Sequence, residues 1–354
     1  MDKKKILVTG GSGFMGSHLL EALVATKRYK VYGVDDHSGG SVQNIPQDCF
    51  FYEMDLRDKK KTENLISRIQ PDVIYALAAN AREGASFFQP LSVTERNINV
   101  YMNVLESAVR HGVKKIIYFS SMAVYGEHTQ PPFDEKMPRV PCDIYGLSKS
   151  WCEQSTEMLA EAHGFEYVIV RPHNVFGEKQ CLRDLYRNVI AIFMNRIMRE
   201  EPIYIYGDGK QKRAFSYIDF SLPCYMKCLD DDIKNEIFNI GGVAEVNIND
   251  IAEIIIECFP EYKRPEIVHL PERHGEVKYA WSTYAKSVEK LGYKETFDLK
   301  EAVKRMSEWV KKQGPQDWTE EELSLVNEKV PRTWTMERNK NESKNDTKLR
   351  GKMS

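Results

Sequence analysis

Along the first half of the chain, short apolar runs alternate with longer segments in which apolar positions recur every three or four residues. The runs at residues 6–8, 31–34, 50–54, 73–77, 116–119 and 168–170 have the length and composition of buried strands. The stretches between them at 16–25, 59–69, 98–111 and 148–163 carry helical periodicity. Strands alternating with helices predict an α/β fold with a doubly wound parallel sheet, helices on both faces and right-handed crossovers. After Arg171 the pattern changes. RPHNVFGEKQ is loop-like, with Pro, Asn and Gly close together. Residues 183–200 read as a helix, 206–219 as a turn followed by a strand, and 249–258 and 299–310 as further helices. In the last of these Leu299, Val303, Met306 and Val310 share one face. The expected organisation is a first domain at 1–172, which also receives a strand from about 213–240, and a smaller α/β substrate domain at 173–337. The polar stretch 338–354, without aromatics, is expected to be disordered.

The bulk numbers narrow the function more than the fold. A length of 354 residues admits one large or two ordinary domains. A formal net charge of -2 gives no global attraction to nucleic acid or to an anionic membrane. The start, MDKKKILVTGG, is too short in its apolar run for a signal-peptide core, and no apolar stretch approaches spanning length. A cytoplasmic location is the expectation. Seven cysteines occur singly, as suits reduced thiols. Cys224 and Cys228 lie in the apolar helical pattern LPCYMKCLD without a neighbouring His, so they read as core, and no metal site is expected.

The first chemical signal is TGGSGFMG, Thr9 to Gly16, between an expected strand and an expected helix. Gly10, Gly13 and Gly16 permit a tight turn and close backbone approach to a pyrophosphate, with Phe14 and Met15 opening the helix. The helix N-terminus offers unpaired N–H groups and a positive dipole end. Asp35, 19 residues after Gly16, ends the second strand with Asp36 beside it. A carboxylate there accepts from ribose hydroxyls and repels a 2′-phosphate. This set predicts a Rossmann-type sheet that binds NAD in preference to NADP.

The second signal is DIYGLSK, which puts Tyr145 and Lys149 on one helical face. Tyrosine ordinarily titrates near 10. A nearby ammonium stabilises the phenolate and is expected to lower that value. Tyr145 can then exchange a proton with a substrate hydroxyl while a hydride moves to or from a nicotinamide. SSMAVYG supplies Ser121 at the end of the apolar run 115–119, where a hydroxyl faces a crevice.

TGGSGFMG, SSMAVYG, YGLSK, RPHNVFG and GDGKQKRAFSYID resemble, in order and spacing, the extended short-chain dehydrogenases/reductases that act on nucleotide sugars, the UDP-glucose 4-epimerase group most of all. The resemblance covers roughly residues 4–310. It implies NAD as cofactor and a catalytic Ser/Thr, Tyr and Lys, which map onto Ser121, Tyr145 and Lys149. It places Asp55 and Leu56 beside the adenine and Leu77, Ala78 and Ala79 along the dinucleotide. It makes Asn99 the asparagine that orders the site and puts His173 by the nicotinamide end. Asn174, Arg213 and Arg273 become diphosphate ligands, with Glu276 near the uridine ribose. The bottom-up reading supports the arginines, whose guanidinium groups suit phosphate. Glu83, Arg183 and Arg187 border the presumed substrate site without an assigned contact. The family often has His before Leu-Ala-Ala; this chain has Ala76.

The residues after Ser121 separate the reactions of the group. Dehydratases typically place Asp and Glu there, and decarboxylases Glu before V-Y-G. Here the positions hold Met122 and Ala123, neither of which can transfer a proton. The expectation is therefore an epimerase that inverts C4 of a nucleotide-diphosphate hexose through a transient 4-keto sugar. A UDP-glucuronate 4-epimerase and a nucleotide-sugar 4-ketoreductase are the alternatives. A non-catalytic NAD-binding sensor is disfavoured because both Tyr145 and Lys149 are present. The resemblance also implies a homodimer through helices near 97–111 and 148–163.

Overall fold

The apolar runs form strands whose successive side chains point to opposite faces, and both faces are covered. Ile6 and Val8 face one core with Tyr75, Ile117 and Phe119, while Leu7 faces the other with Ile74, Ile116 and Tyr118. The structure, a computed structural model, describes residues 3–126, 130–242, 245–273, 275, 277–294, 298–319, 323–331 and 333–334. Glu276 and the stretch 338–354 lie outside the described residues.

In chain order the strands are β1 (Lys5–Thr9), β2 (Lys30–Asp35), β3 (Phe50–Glu53), β4 (Val73–Ala76), β5 (Lys115–Phe119), β6 (Glu166–Pro172), β7 (Val175–Phe176), β8 (Ile203–Tyr206), β9 (Lys212–Ala214), β10 (Ser216–Tyr217), β11 (Glu236–Ile240), β12 (Glu245–Asn247), β13 (Ile267–Leu270) and β14 (Tyr279–Ala280). The α-helices are α1 (Phe14–Ala25), α2 (Lys59–Ile69), α3 (Pro90–Val93), α4 (Val100–Arg110), α5 (Ile144–His163), α6 (Val189–Met198), α7 (Ile218–Lys227), α8 (Ile248–Glu257), α9 (Ala285–Leu291) and α10 (Leu299–Gln313).

A seven-stranded parallel sheet runs β11-β6-β5-β4-β1-β2-β3. The strand order reverses between β1 and β4, the switch point at which such sheets bind ligands beyond their carboxyl ends. Helices α1 and α7 pack on one face, and α2, α4 and α5 on the other. The remaining elements build a smaller unit around a second core of Ile190, Phe193, Met194, Ile251, Ile255, Val303, Met306 and Val310. In it β9 joins β12 and β14, and β8 pairs with β13.

Three segments differ from the sequence reading. Helix α5 starts four residues earlier than residue 148, because the Asp143 side chain caps it by accepting from the Gly146 N–H at 2.7 Å. The helix expected from 183 begins only at Val189, where the Asn188 side chain takes the Ile190 N–H; residues 183–188 are loop. The helix expected from 98 is preceded by a π-helical turn, Thr94–Asn99, continuous with α3 and α4. Such turns shift which side chains face inward.

Candidate active site and cofactor groove

The turn after β1 is closed by sterics. Gly10 has φ +71°, and a Cβ on Gly16 would fall 2.0 Å from the Gly10 carbonyl oxygen. No side chain fits at Gly16, so the first turn of α1 lies directly on the loop. A groove crosses this turn and runs over the ends of the strands. Gly10, Gly13, Phe14, Met15 and Gly16 line its middle. Asp35, Asp36, Asp55 and Leu56 line one end, and Leu77, Ala78, Ala79, Tyr145 and Lys149 the other. Asp35 organises the turn itself: its carboxylate accepts from the Ser12 N–H at 3.0 Å and the His37 N–H at 2.7 Å. Arg57 binds both oxygens of Asp55, and its hydrogen bond holds that carboxyl below the usual range.

At the other end Ser121 sits just beyond β5 and accepts from the Ala123 N–H at 3.2 Å, which caps a short turn holding Met122 and Ala123. Its hydroxyl stands beside the phenol of Tyr145 and acts to lower that group. Lys149 donates to the Phe119 carbonyl at 2.7 Å, with Nζ 5.0 Å from the Tyr118 ring centre and 5.8 Å from that of Tyr145. Burial lowers Lys149 to about 8. Burial also pushes the Tyr145 phenol up, Glu83 adds to the rise, and Ser121 only partly offsets it. The expectation that Lys149 by itself brings the tyrosine down is therefore corrected: its ammonium is held by a backbone carbonyl and burial is the larger effect. Asp143, at the start of α5, is raised by burial to about 7.

Two cofactor assignments are also corrected. Asn99 is exposed and does not line the groove. Asn97, two residues earlier, is 2% exposed; its amide bridges the Asn80 backbone N–H at 2.6 Å and carbonyl at 3.2 Å, and donates to Ser148 at 3.0 Å. His173 is fully buried behind the groove, against Gly241, with Nδ1 3.5 Å from Ser282, and burial lowers it to about 3.

Besides Ser121, the described residues expected at a substrate are Asn174, Arg213 and Arg273; these three do not line the cofactor groove and border a cleft beside it. Asn174, at φ 37°, donates to the Ala214 carbonyl at 2.8 Å and lies 3.8 Å from the Met122 sulfur. Arg213, on β9, reaches the carbonyls of Val277 and Lys278. Arg273 stacks over the Tyr206 ring at 4.7 Å and comes close to Gly84. Glu83 opens to this cleft. The protein crowded around it raises its carboxyl although the side chain reaches solvent, while Arg187, Arg273 and Arg213 pull it down. Arg183 instead offers its carbonyl to Thr319, whose N–H donates at 2.9 Å.

Comparison with known proteins matches residues 6–241 to the model of the NAD dependent epimerase/dehydratase family. The chain belongs to this family. It is 35% identical to a putative UDP-glucose 4-epimerase of Methanocaldococcus jannaschii over 86% of this chain and 98% of that one. The UDP-glucose 4-epimerase of Thermotoga maritima, solved with UDP-glucose, superposes with a TM-score of 0.82 at 33% identity, covering 87% of this chain and 99% of that one. The UDP-glucuronic acid 4-epimerase of Bacillus cereus, solved with UDP-glucuronic acid and NAD, gives 0.80 at 27% identity, covering 87% and 99%.

The cofactor of this epimerase/dehydratase chain is NAD, and the groove fits it on its own evidence. The glycine turn leaves space that any Cβ at Gly16 would remove. Among the described residues, Ser120 Oγ and Asn80 Oδ1 are buried groove-lining polar atoms without a hydrogen-bond partner, as a site that meets ligand hydroxyls or amides requires. Ser120 stands beside Ser121 in SSMAVYG, whereas no motif marks Asn80, Arg96 or Ser38, which become visible only when strand ends and loops converge. Asn97 had a signal: with Tyr101, Val104 and Ala108 it lies on the buried face of the helical pattern, and Asn99 does not. Among the described residues, no helix is long and apolar enough to cross a membrane and no cluster of three or more His, Cys, Asp or Glu forms a candidate metal site.

Proposed function

We propose that the chain is a nucleotide-sugar 4-epimerase of the UDP-glucose/UDP-galactose type. The observation that carries the reading is the placement of Ser121 beside Tyr145, at the head of a turn that holds Met122 and Ala123. The group that removes and returns a hydroxyl proton is present, and positions 122 and 123, where elimination would draw on carboxylates, hold Met and Ala. NAD, when bound, supplies the acceptor and donor of a hydride. Tyr145 takes the proton of the sugar 4-hydroxyl and gives it back. Ser121 donates a hydrogen bond to the phenol and stabilises its ionised form. Lys149 adds positive charge on the same helix face. Asn174, Arg213 and Arg273 hold the diphosphate while the 4-keto sugar turns over about its link to that anchor.

A UDP-glucuronate 4-epimerase is the second reading. Its support is the similarity of the chain to an enzyme solved with that sugar. The decisive experiment incubates purified protein with UDP-galactose, UDP-glucuronate and their C4 epimers, without added NADH, and follows products by NMR. Interconversion of UDP-galactose and UDP-glucose, abolished by Tyr145→Phe, is expected. Turnover of UDP-glucuronate alone would select the second reading. No turnover of either with NAD bound would remove both.

We also infer a cytoplasmic homodimer. The exposed Leu147, Trp151 and Met158 share one face of α5, an apolar surface of the kind a second copy covers.

A further inference from the structure

We propose that Arg187, contributed by the smaller unit, is a binding residue for the pyrophosphate of the cofactor, and that Asp184 is the positioning residue that aims it. Arg187 lies in the loop before α6, yet its side chain lines the groove together with Gly10, Gly13 and Phe14. On its far side is Gly39, where an added Cβ would stand 2.9 Å from Arg187 Nη2. Gly39 belongs to the loop after β2, which is packed on the glycine turn: the Ser41 N–H donates to the Ser12 carbonyl at 3.0 Å, and a Cβ on Gly40 would fall 2.4 Å from the same oxygen. The guanidinium therefore stands in the groove beside the loop that packs on the glycine turn.

The aim of Arg187 is fixed. Its Nε donates to Asp184 Oδ2 at 2.9 Å, and the same oxygen receives Arg82 Nε at 2.9 Å. Asp184 is 3% exposed, and its other oxygen takes the Tyr186 N–H at 3.0 Å. The two arginines hold Asp184 ionised despite its burial. With its Nε edge engaged, Arg187 turns Nη2 toward Gly39, and a guanidinium edge is suited to a phosphate oxygen.

The other cations near the groove are committed elsewhere. Arg57 binds Asp55, Arg96 binds Ser38 at 2.9 Å with Asp36 nearby, and TGGSGFMG contains no cation. Of the guanidinium groups that line the groove, those of Arg57, Arg82, Arg96 and Arg187, Arg187 is the one set against Gly39, whose loop packs on the glycine turn. A phosphate bound between α1 and Arg187 would be gripped by both units at once. The cofactor would then leave only when the cleft opens, which suits an enzyme that reuses its NAD at every turnover.

A diphosphate occurs both in NAD and in a nucleotide sugar, and the test separates them without requiring any sugar turnover. Release of resident NAD from the purified holoenzyme is timed by exchange with labelled NAD for wild type, Arg187→Gln, Arg187→Lys and Asp184→Asn. Displacement by ADP-ribose and by adenosine, and binding of UDP, are measured on the same proteins. Arg187→Gln is expected to speed NAD release and weaken ADP-ribose by at least about tenfold, with adenosine and UDP unchanged. Arg187→Lys, which keeps a charge but loses the fork, should fall between, as should Asp184→Asn. Unchanged NAD release in Arg187→Gln overturns the proposal. So does a loss confined to UDP, which would assign Arg187 to the nucleotide sugar, or an equal loss for adenosine, which would mark a general loosening of the groove.

Discussion

At the scale of single residues, the chemistry rests on what surrounds Tyr145. Burial, Glu83 and Asp143 all raise the phenol, while Ser121 and Arg187 lower it. A base becomes active as the pH rises through its pKa, so every group that raises Tyr145 moves the onset of activity to higher pH. Glu83→Gln removes a negative charge and lowers the tyrosine. The rising limb of kcat/KM against pH should therefore move to lower pH in this variant. A profile that stays in place would show that Glu83 does not act on Tyr145. The same loop shows how narrowly position matters: Asn97 reaches Asn80 and Ser148, while Asn99 points to solvent.

At the scale of elements, the site depends on segments that carry no motif. Described residues after α10 pack back onto α6 and onto the loops at 82–88 and 183–188. Gln316 exchanges hydrogen bonds with Asn195 on α6, donating its N–H at 2.9 Å and accepting at 3.0 Å. The N–H groups of Ser324 and Leu325 donate to the Phe88 carbonyl. Trp334, 5% exposed, packs edge-on against Phe88 and Tyr186 and touches the Gly84 position. This small cluster ties the loop of Arg82 and Glu83 to the loop of Asp184 and Arg187. Trp334→Ala should cost about 3 kcal/mol of local packing. Hydrogen exchange should then accelerate at residues 82–88 and 183–188 while β1 to β6 keep their protection. Uniform acceleration throughout would mean that the strap stabilises the whole fold rather than these two loops.

At the scale of the molecule, the proposed dimer is carried by the outer face of α5, the helix whose inner face presents Tyr145 and Lys149. Trp151→Glu puts a charge in the middle of that apolar face and should convert a dimer to a monomer by light scattering. A wild-type protein that is already monomeric would refute the dimer. Because α5 is shared, the monomeric variant should also lose activity without losing bound NAD, since Trp151 lies outside the groove.

The sequence determined the periodic and the local. Alternation of apolar runs and helical segments is enough to specify a parallel sheet covered on both faces, and the glycine spacing after β1 is a local steric requirement, visible as the impossibility of a side chain at Gly16. The same holds for the Tyr145–Lys149 spacing and for the missing carboxylates at Met122 and Ala123. What only the tertiary structure decided was which distant segments meet. Contacts with Asn80 and Ser148 gave Asn97 its place, and the fold brought Glu83 near enough to Tyr145 to raise it. The pairing of Asp184 with Arg82 carried Arg187 across to Gly39, 148 positions earlier in the chain. Burial likewise raised Tyr145 where spacing alone predicted a fall. These outcomes depend on desolvation and on contacts between segments far apart in the chain, and neither is written in any short stretch of residues.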